Sequence, residues 1–233
     1  MISSILAVVL FVCVFLTVYP YIIYPMILRL LPKRPLAAAN PAAAAADGTR
    51  FALLFCAHNE ARALPQTIAN LRRIKAAWPE LAIHAYSDAS TDGTFAILEG
   101  ARDILTPVEG RRRAGKPVGM RRLVMTSRAD VLVFMDANVL IDPATAGNLR
   151  AHFARPDVGA VAGTLHYVDH EASTVAAVGG LYWALEERIK RLESETGSTM
   201  GADGSLFAIR REFYPAVAPE LQDDFLASMQ PIF

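Results

Sequence analysis

Three stretches of this chain place oxygen-bearing side chains directly behind a short apolar run, where they can bind a cation, a sugar or a nucleoside. The first is Asp136-Ala137-Asn138, which follows Val131–Met135. Two oxygen donors two residues apart can reach one hard cation, and such a cation bridges a diphosphate and offsets its charge as it leaves. The second is Ser87-Asp88-Ala89-Ser90-Thr91-Asp92-Gly93-Thr94, behind Ala82–Tyr86. Asp88 stands at the end of that run, where a carboxylate can accept hydrogen bonds from a base or a ribose. Ser90 or Thr91 also reads as the cap of a following helix. The third is Ala57-His58-Asn59-Glu60, behind Phe51–Cys56. Near the C-terminus, Asp223-Asp224 is a paired acid that suits either a helix start, favoured by the dipole, or a general base.

The elements that must position these groups alternate. Phe51–Cys56, Ala82–Tyr86, Val131–Met135 and Val158–Gly163 are short apolar runs that predict strands. Between them lie helix-period segments. Pro65 suits a first turn ahead of Ile68, Leu71 and Ile74; Phe95, Ile97, Leu98 and Ala101 form a second helix; Asp142-Pro143 opens a third through Ala146, Leu149 and Phe153. The longest follows Ser173, where Val175, Val178, Tyr182, Leu185, Ile189 and Leu192 repeat at three-four spacing as a core stripe. This rhythm predicts a mainly parallel sheet covered on both faces, in which ligands bind at the carboxyl ends of the strands. No Gly-x-Gly-x-x-Gly follows the first strand and no Gly-x4-Gly-Lys-Ser/Thr occurs, which argues against a dinucleotide-binding domain and a P-loop NTPase.

The start of the chain has a different character. Ile5–Leu31 is almost wholly apolar, with Arg29 as its one charge, and exceeds the roughly 20 residues that cross a bilayer core. Its positive charges, Arg29, Lys33 and Arg34, follow the apolar run, so it reads as an uncleaved anchor with the rest of the chain on the cytoplasmic side. Pro20 and Pro25 predict a kink. The expected organisation is a transmembrane anchor over 1–31, a linker over 32–49 and one catalytic domain over 50–233. Apolar residues make up 53% of the chain, and 23 Lys and Arg balance 23 Asp and Glu, so no basic surface of the overall kind that nucleic acid requires is expected. Arg111-Arg112-Arg113 reads as a solvated loop, with phosphates or acidic headgroups as its functional alternative. His166 and His170 are not taken as a metal pair, and Cys13 and Cys56 are read as free thiols.

The ordered set resembles family 2 glycosyltransferases of the GT-A fold, the membrane-bound bacterial type. The matching elements are the strand ending at Asn59-Glu60, Ser87–Thr94, Gly115-Lys116, Asp136–Asn138, the stretch Gly201–Arg211 and Asp223-Asp224. The resemblance implies an α/β, GT-A-like mainly parallel sheet flanked by helices and preceded by one transmembrane helix. It implies a nucleotide-sugar donor, with UDP as the expected nucleotide, and a saccharide or lipid-linked acceptor at the inner membrane. Asn59, Glu60, Asp88, Lys116 and Asp136 would serve the donor, and Asp136 with Asn138 would hold Mg2+ or Mn2+. Asp224, paired with Asp223, would take the proton of an acceptor hydroxyl as it attacks the anomeric carbon, inverting its configuration. Gly201–Arg211 would lie on the acceptor side, with one of Tyr182, Trp183 and Glu186 as a further acceptor contact. Ser87 replaces the first acid of the family's usual Asp-Asp pair, and Arg121 stands where the family often has Asn. Family members usually continue past the base motif, which leads to the expectation of a C-terminally truncated domain. A nucleotidyltransferase would want a Gly-rich basic loop after the first strand, which this chain lacks. The remaining alternative is an inactive glycosyltransferase-like domain that serves as a membrane-bound binding or scaffold protein; retention of Asp88, Asp136 and Asp224 favours catalysis.

Overall fold

The computed structural model describes residues 2–34, 48–166, 174–197, 199, 201 and 204–214. Asp223, Asp224, His170 and most of the expected linker lie outside the described residues, as does the side chain of Tyr182. The chain divides into two compact units, one built from its N-terminal helices with the helix 174–196, the other from the sheet and the helices on it.

In the first unit, α1 (Ile2–Val18) and α2 (Tyr24–Leu30) are joined by a π-helical turn over Tyr19–Ile23. Pro20 and Pro25 each remove a backbone donor and crowd the preceding turn. The wider turn, closed by the Tyr24 N–H on the Tyr19 carbonyl, absorbs that conflict without ending the helix. Ser4–Leu30 forms 27 residues long and apolar enough to cross a membrane, about 40 Å at helical rise. The last helix of the chain's described part, here α7 (Thr174–Thr196), meets this element through polar contacts. The Tyr24 hydroxyl donates to Glu193 Oε1 at 2.8 Å, the Arg34 N–H donates to the Glu195 carbonyl at 2.7 Å, and Lys33 pairs with the Glu195 carboxylate at 2.6 Å. That α7 belongs with the N-terminal helices was not legible from its periodicity.

The second unit is a six-stranded sheet. Its strands are β1 (Phe51–Ala57), β2 (Ala82–Asp88), β3 (Thr106–Gly110), β4 (Val131–Asp136), β5 (Ala160–Ala162) and β6 (Leu206–Arg210), in the order β3-β2-β1-β4-β6-β5. β1 to β4 are mutually parallel, and β6 runs antiparallel to both β4 and β5. The helices are α3 (Leu64–Ala77), α4 (Thr94–Glu99), α5 (Lys116–Thr126) and α6 (Ala144–Phe153). Alternation along the strands sorts the core into two layers. Phe51, Leu53 and Phe55 of β1 and Val131, Val133 and Met135 of β4 pack in one cluster with Leu64, Leu71 and Phe153 from helices α3 and α6. Ala52, Leu54, Leu132 and Phe134 pack in the other with Met120, Leu123 and Val124 of α5 and Phe207 of β6. Each buried Val, Leu, Met or Phe among them contributes about 1.5–3 kcal/mol relative to exposure.

Expected and observed strands agree for β1, β2 and β4, while Val158–Gly163 shortens to three residues. β3, β6 and α5 were not anticipated. Gly201–Arg211, expected as an acceptor-side stretch, contributes β6 inside the sheet, and its two terminal arginines are structural. Arg210 donates to the carbonyls of Phe153, Arg155 and Val158 at the end of α6, and Arg211 to those of Val124, Ser127 and Ala129 beyond α5.

At this amino-end edge of the sheet, Arg50 grips the Asp130 carboxylate with its backbone N–H at 3.0 Å and two guanidinium contacts at 3.0 and 2.8 Å. These bonds hold the Asp130 carboxyl at about 2, below its ordinary 3.8. A carboxyl depressed in the folded state contributes stability that is present above the unfolded value and lost as pH falls through the folded one. Asp130→Asn is therefore expected to lower Tm slightly at pH 7, with the difference from the parent closing as the pH falls from about 4 towards 2; thermal melts across that range check it, and a pH-independent difference would refute the ion-pair account.

Candidate functional site

The carboxyl ends of β1, β2 and β4 open onto a cleft of about 280 Å³ whose walls include His58, Glu60, Asp88, Lys116, Asp136 and Asn138. The parallel register fixes this convergence, because Cys56 pairs laterally with Tyr86 on one side and Asp136 on the other. Five of the sequence-predicted donor and metal residues thus line one cavity: Glu60, Asp88, Lys116, Asp136 and Asn138.

Asp88 is 3% exposed. Its Oδ1 accepts the Ala114 N–H and its Oδ2 the Gly115 N–H, both at 2.8 Å. A buried carboxylate needs such partners, and these two donors offset its desolvation. The bonds fasten the end of the β3–α5 loop. Gly115 follows at φ +88°, a conformation that side chains resist, and turns the chain into α5 with Lys116 as its first residue. Lys116 Nζ then lies 2.7 Å from Asp136 Oδ1 and 3.5 Å from the Gly204 carbonyl. Both members of this pair are more than a third exposed, so the contact adds little to stability.

The turn carrying Asp136 and Asn138 is braced from α3. Thr67 Oγ1 donates to the Ala137 carbonyl at 2.7 Å. Asn70 Nδ2 donates to the Ile141 carbonyl and Asn70 Oδ1 accepts the Ile141 N–H, both at 2.8 Å. Thr67 and Asn70 are buried and were missed in the sequence. Their signal was available: two polar residues on the same buried face as Leu64, Ile68 and Leu71.

The loops after β1 and β2 are sewn together by polar groups. Asn59, at φ +57°, donates its N–H to Ser90 Oγ and accepts the Thr91 N–H at its side-chain oxygen, 2.9 Å away. The Glu60 N–H donates to Thr94 Oγ1 at 2.8 Å, and the Ala61 N–H to Asp92 Oδ2 at 3.0 Å. The Thr94 hydroxyl donates to Asp92 Oδ1 at 2.6 Å and, with the Ala61 N–H, holds the Asp92 carboxyl below its ordinary range. His58 Nδ1 lies 2.8 Å from the Asp88 carbonyl, so that nitrogen carries a proton and donates. Asn59 therefore has its side-chain oxygen engaged in the loop tie, not directed at the cleft. The α4 cap also differs from expectation. Gly93, at φ +91°, stands at the N-cap, while Ser90 and Thr91 serve Asn59.

A divalent ion suits the donor set here. Asp136 and Asn138 offer hard oxygens on one turn, and Asp136 is half-exposed, which leaves room for further ligands. Among the described residues no group of three or more His, Cys, Asp or Glu could hold a metal by itself.

A model of glycosyl transferase family 2 matches residues 53–217. The chain belongs to that family. The match runs from β1 through β6 and takes in every cleft residue named above. No curated protein sequence matches the chain significantly. Among solved structures, a mannosyltransferase from Pyrobaculum calidifontis in complex with GDP-Man and Mn2+ superposes with a TM-score of 0.69 at 20% identity, covering 90% of this chain and 59% of that one. TarS of S. aureus in complex with UDP-GlcNAc gives 0.54 at 13% identity, over 79% and 53% of the two chains. Mannosyl-3-phosphoglycerate synthase from Rubrobacter xylanophilus gives 0.52 at 16% identity, over 75% and 57%. At these identities the likeness is one of fold, the GT-A fold. The chain spans between half and three-fifths of the length of these solved chains.

Gly119, one turn into α5, lets that helix lie close against β1 and β2. A Cβ there would stand 2.5 Å from Cys56 Sγ, in the cleft wall, and 2.5 Å from Tyr86 Cδ1, in the core. Gly119→Ala is expected to destabilise the domain by about 1–3 kcal/mol, read as a lower midpoint in urea; an unchanged midpoint would show that α5 can lift without cost.

Proposed function

We propose that this chain transfers a sugar, with inversion, from a nucleoside diphosphate sugar to a saccharide or lipid-linked acceptor at the cytoplasmic face of a membrane. The observation that carries the reading is the meeting of Asp88, Lys116, Asp136 and Asn138 in one cleft at the carboxyl ends of parallel strands. In the neighbours solved with ligands, the nucleotides are GDP-Man in one and UDP-GlcNAc in the other. UDP remains the nucleotide expected here, and GDP is the natural competitor to test.

The residues divide the work. Asp88 positions the loop into α5 and, from the cleft wall, would border the nucleoside. Lys116 stands ready to take a diphosphate oxygen in place of Asp136. Asp136 and Asn138 would hold Mg2+ or Mn2+, which supplies charge neutralisation for the leaving diphosphate. Glu60 also lines the cleft. Asp224, with Asp223 beside it in sequence, is the proposed base that takes the acceptor hydroxyl proton. The remaining contribution is alignment of acceptor oxygen and anomeric carbon. The apolar helix over Ser4–Leu30 supports anchorage beside a lipid-linked acceptor, with 1–31 as anchor and 50–233 as the catalytic part.

Calorimetric titration of the purified chain with UDP, GDP and other nucleoside diphosphates, with and without Mn2+, is expected to give metal-dependent binding of one nucleotide. Asp136→Ala is expected to weaken that binding at least about tenfold; no binding of any nucleotide would favour the scaffold alternative. For the base, Asp224→Asn is expected to keep nucleotide affinity while transfer falls by about 10²–10⁴-fold, and transfer at the parent rate would remove Asp224 from that role.

A further inference from the structure

A different surface of the sheet unit carries an unbalanced charge. Between Glu109 and Asp130 the chain has seven basic residues, Arg111, Arg112, Arg113, Lys116, Arg121, Arg122 and Arg128, and no acidic one. The whole chain is neutral, so this 20-residue stretch, 110–129, concentrates positive charge that the rest of the molecule balances elsewhere. Lys116 turns inward to Asp136, and the six arginines are exposed.

The placement follows from how α5 packs. Met120, Leu123 and Val124 face the core, which turns Arg121, Arg122 and Met125 outward at one-four spacing, and Arg128 is exposed just beyond the helix end. Met125 is 78% exposed, a large apolar side chain set among guanidinium groups. Arg111–Arg113 enter the same helix through the loop that Asp88 fastens. None of the ion pairs among the described residues uses Arg111, Arg112, Arg113 or Arg128. Of the flanking acids, Asp130 is already held by Arg50, which leaves exposed Glu109 as the neighbouring counter-charge in sequence. Arg122 sets its guanidinium over the Tyr86 ring and donates to the Tyr86 hydroxyl at 3.2 Å, so its head group is already engaged by the fold.

We propose that the β3–α5 loop and the outer face of α5 dock on an anionic phospholipid bilayer, with the arginines on headgroup phosphates and Met125 at the apolar boundary. The proposal rests on the membrane anchorage of the preceding section. An apolar helix in the same chain brings this face to a bilayer at high effective concentration, so modest attraction per charge suffices. Arginine suits the role because its fork takes phosphate oxygens in pairs, and an exposed methionine among cations suits a lipid interface better than a soluble polyanion. Docking would also bear on the loop whose N–H groups Asp88 holds, and so would reach the mouth of the donor cleft.

The test uses the full chain in lipid nanodiscs. Met125→Cys, in a background with Cys13→Ala and Cys56→Ala, is labelled with an environment-sensitive fluorophore. Emission is expected to rise at least about threefold and shift to the blue in discs with about 30% phosphatidylglycerol relative to neutral discs, and to fall back in about 0.5 M NaCl. Replacing Arg111, Arg112, Arg113, Arg121 and Arg128 by Gln is expected to abolish the rise, with a melt confirming that the variant is folded. Equal emission in both lipids would overturn the proposal, and so would an equal rise in neutral discs on adding inorganic polyphosphate, which would assign the face to a soluble polyanion. Co-elution with the discs reports the anchor separately; a chain that co-elutes with neither composition overturns the anchorage and the docking with it.

Discussion

Burying the carboxylate of Asp88 at the end of β2 creates a demand for hydrogen-bond donors that this part of the molecule is arranged to meet. A charge 3% exposed is costly unless donors surround it, and the two successive N–H groups of Ala114 and Gly115 are those donors. Meeting that demand fixes where the β3–α5 loop ends. It therefore fixes where α5 begins, and places Lys116 against Asp136 on the next strand but one. Gly115 and Gly119 serve the same constraint, one by a left-handed turn and one by letting α5 press onto Cys56 and Tyr86.

The other wall of the cleft is held by a separate set of bonds with the same logic. Thr67 and Asn70 spend buried polar groups on the backbone of the Asp136–Ile141 turn, satisfying donors and acceptors that no strand partner reaches. The result is a cleft in which the Lys116 and Asp136 side chains are exposed enough to bind, on backbone that is tied down. Rigid backbone with available side chains is what alignment and charge neutralisation in group transfer require.

The opposite pole of the sheet is built from arginines with a purely structural task. Arg210 and Arg211 satisfy helix-end carbonyls, and Arg50 clamps Asp130 where β4 begins. Arg111, Arg112, Arg113 and Arg128 enter none of the ion pairs among the described residues. The contrast between inward arginines that complete the fold and these exposed ones is what sets the α5 face apart.

Much of this was legible in residue order. Apolar runs of five or six residues marked β1, β2 and β4 because strands buried on both faces of a parallel sheet need no alternation, and the acidic groups behind them marked the cleft. The apolar helix announced itself by length, and its two prolines by their missing donors. β3 was hidden because Thr-Pro-Val-Glu-Gly is a weak local strand signal that gains its conformation from its neighbour across the sheet. Asn59 shows the limit most clearly. Its residue type and its place behind β1 are local facts, but its side-chain oxygen meets Thr91, 32 residues on, only because two parallel strands end side by side. The sequence determined which groups stand at strand ends; tertiary pairing decided which of them face a ligand and which face one another, since that depends on bonds between segments no local pattern connects.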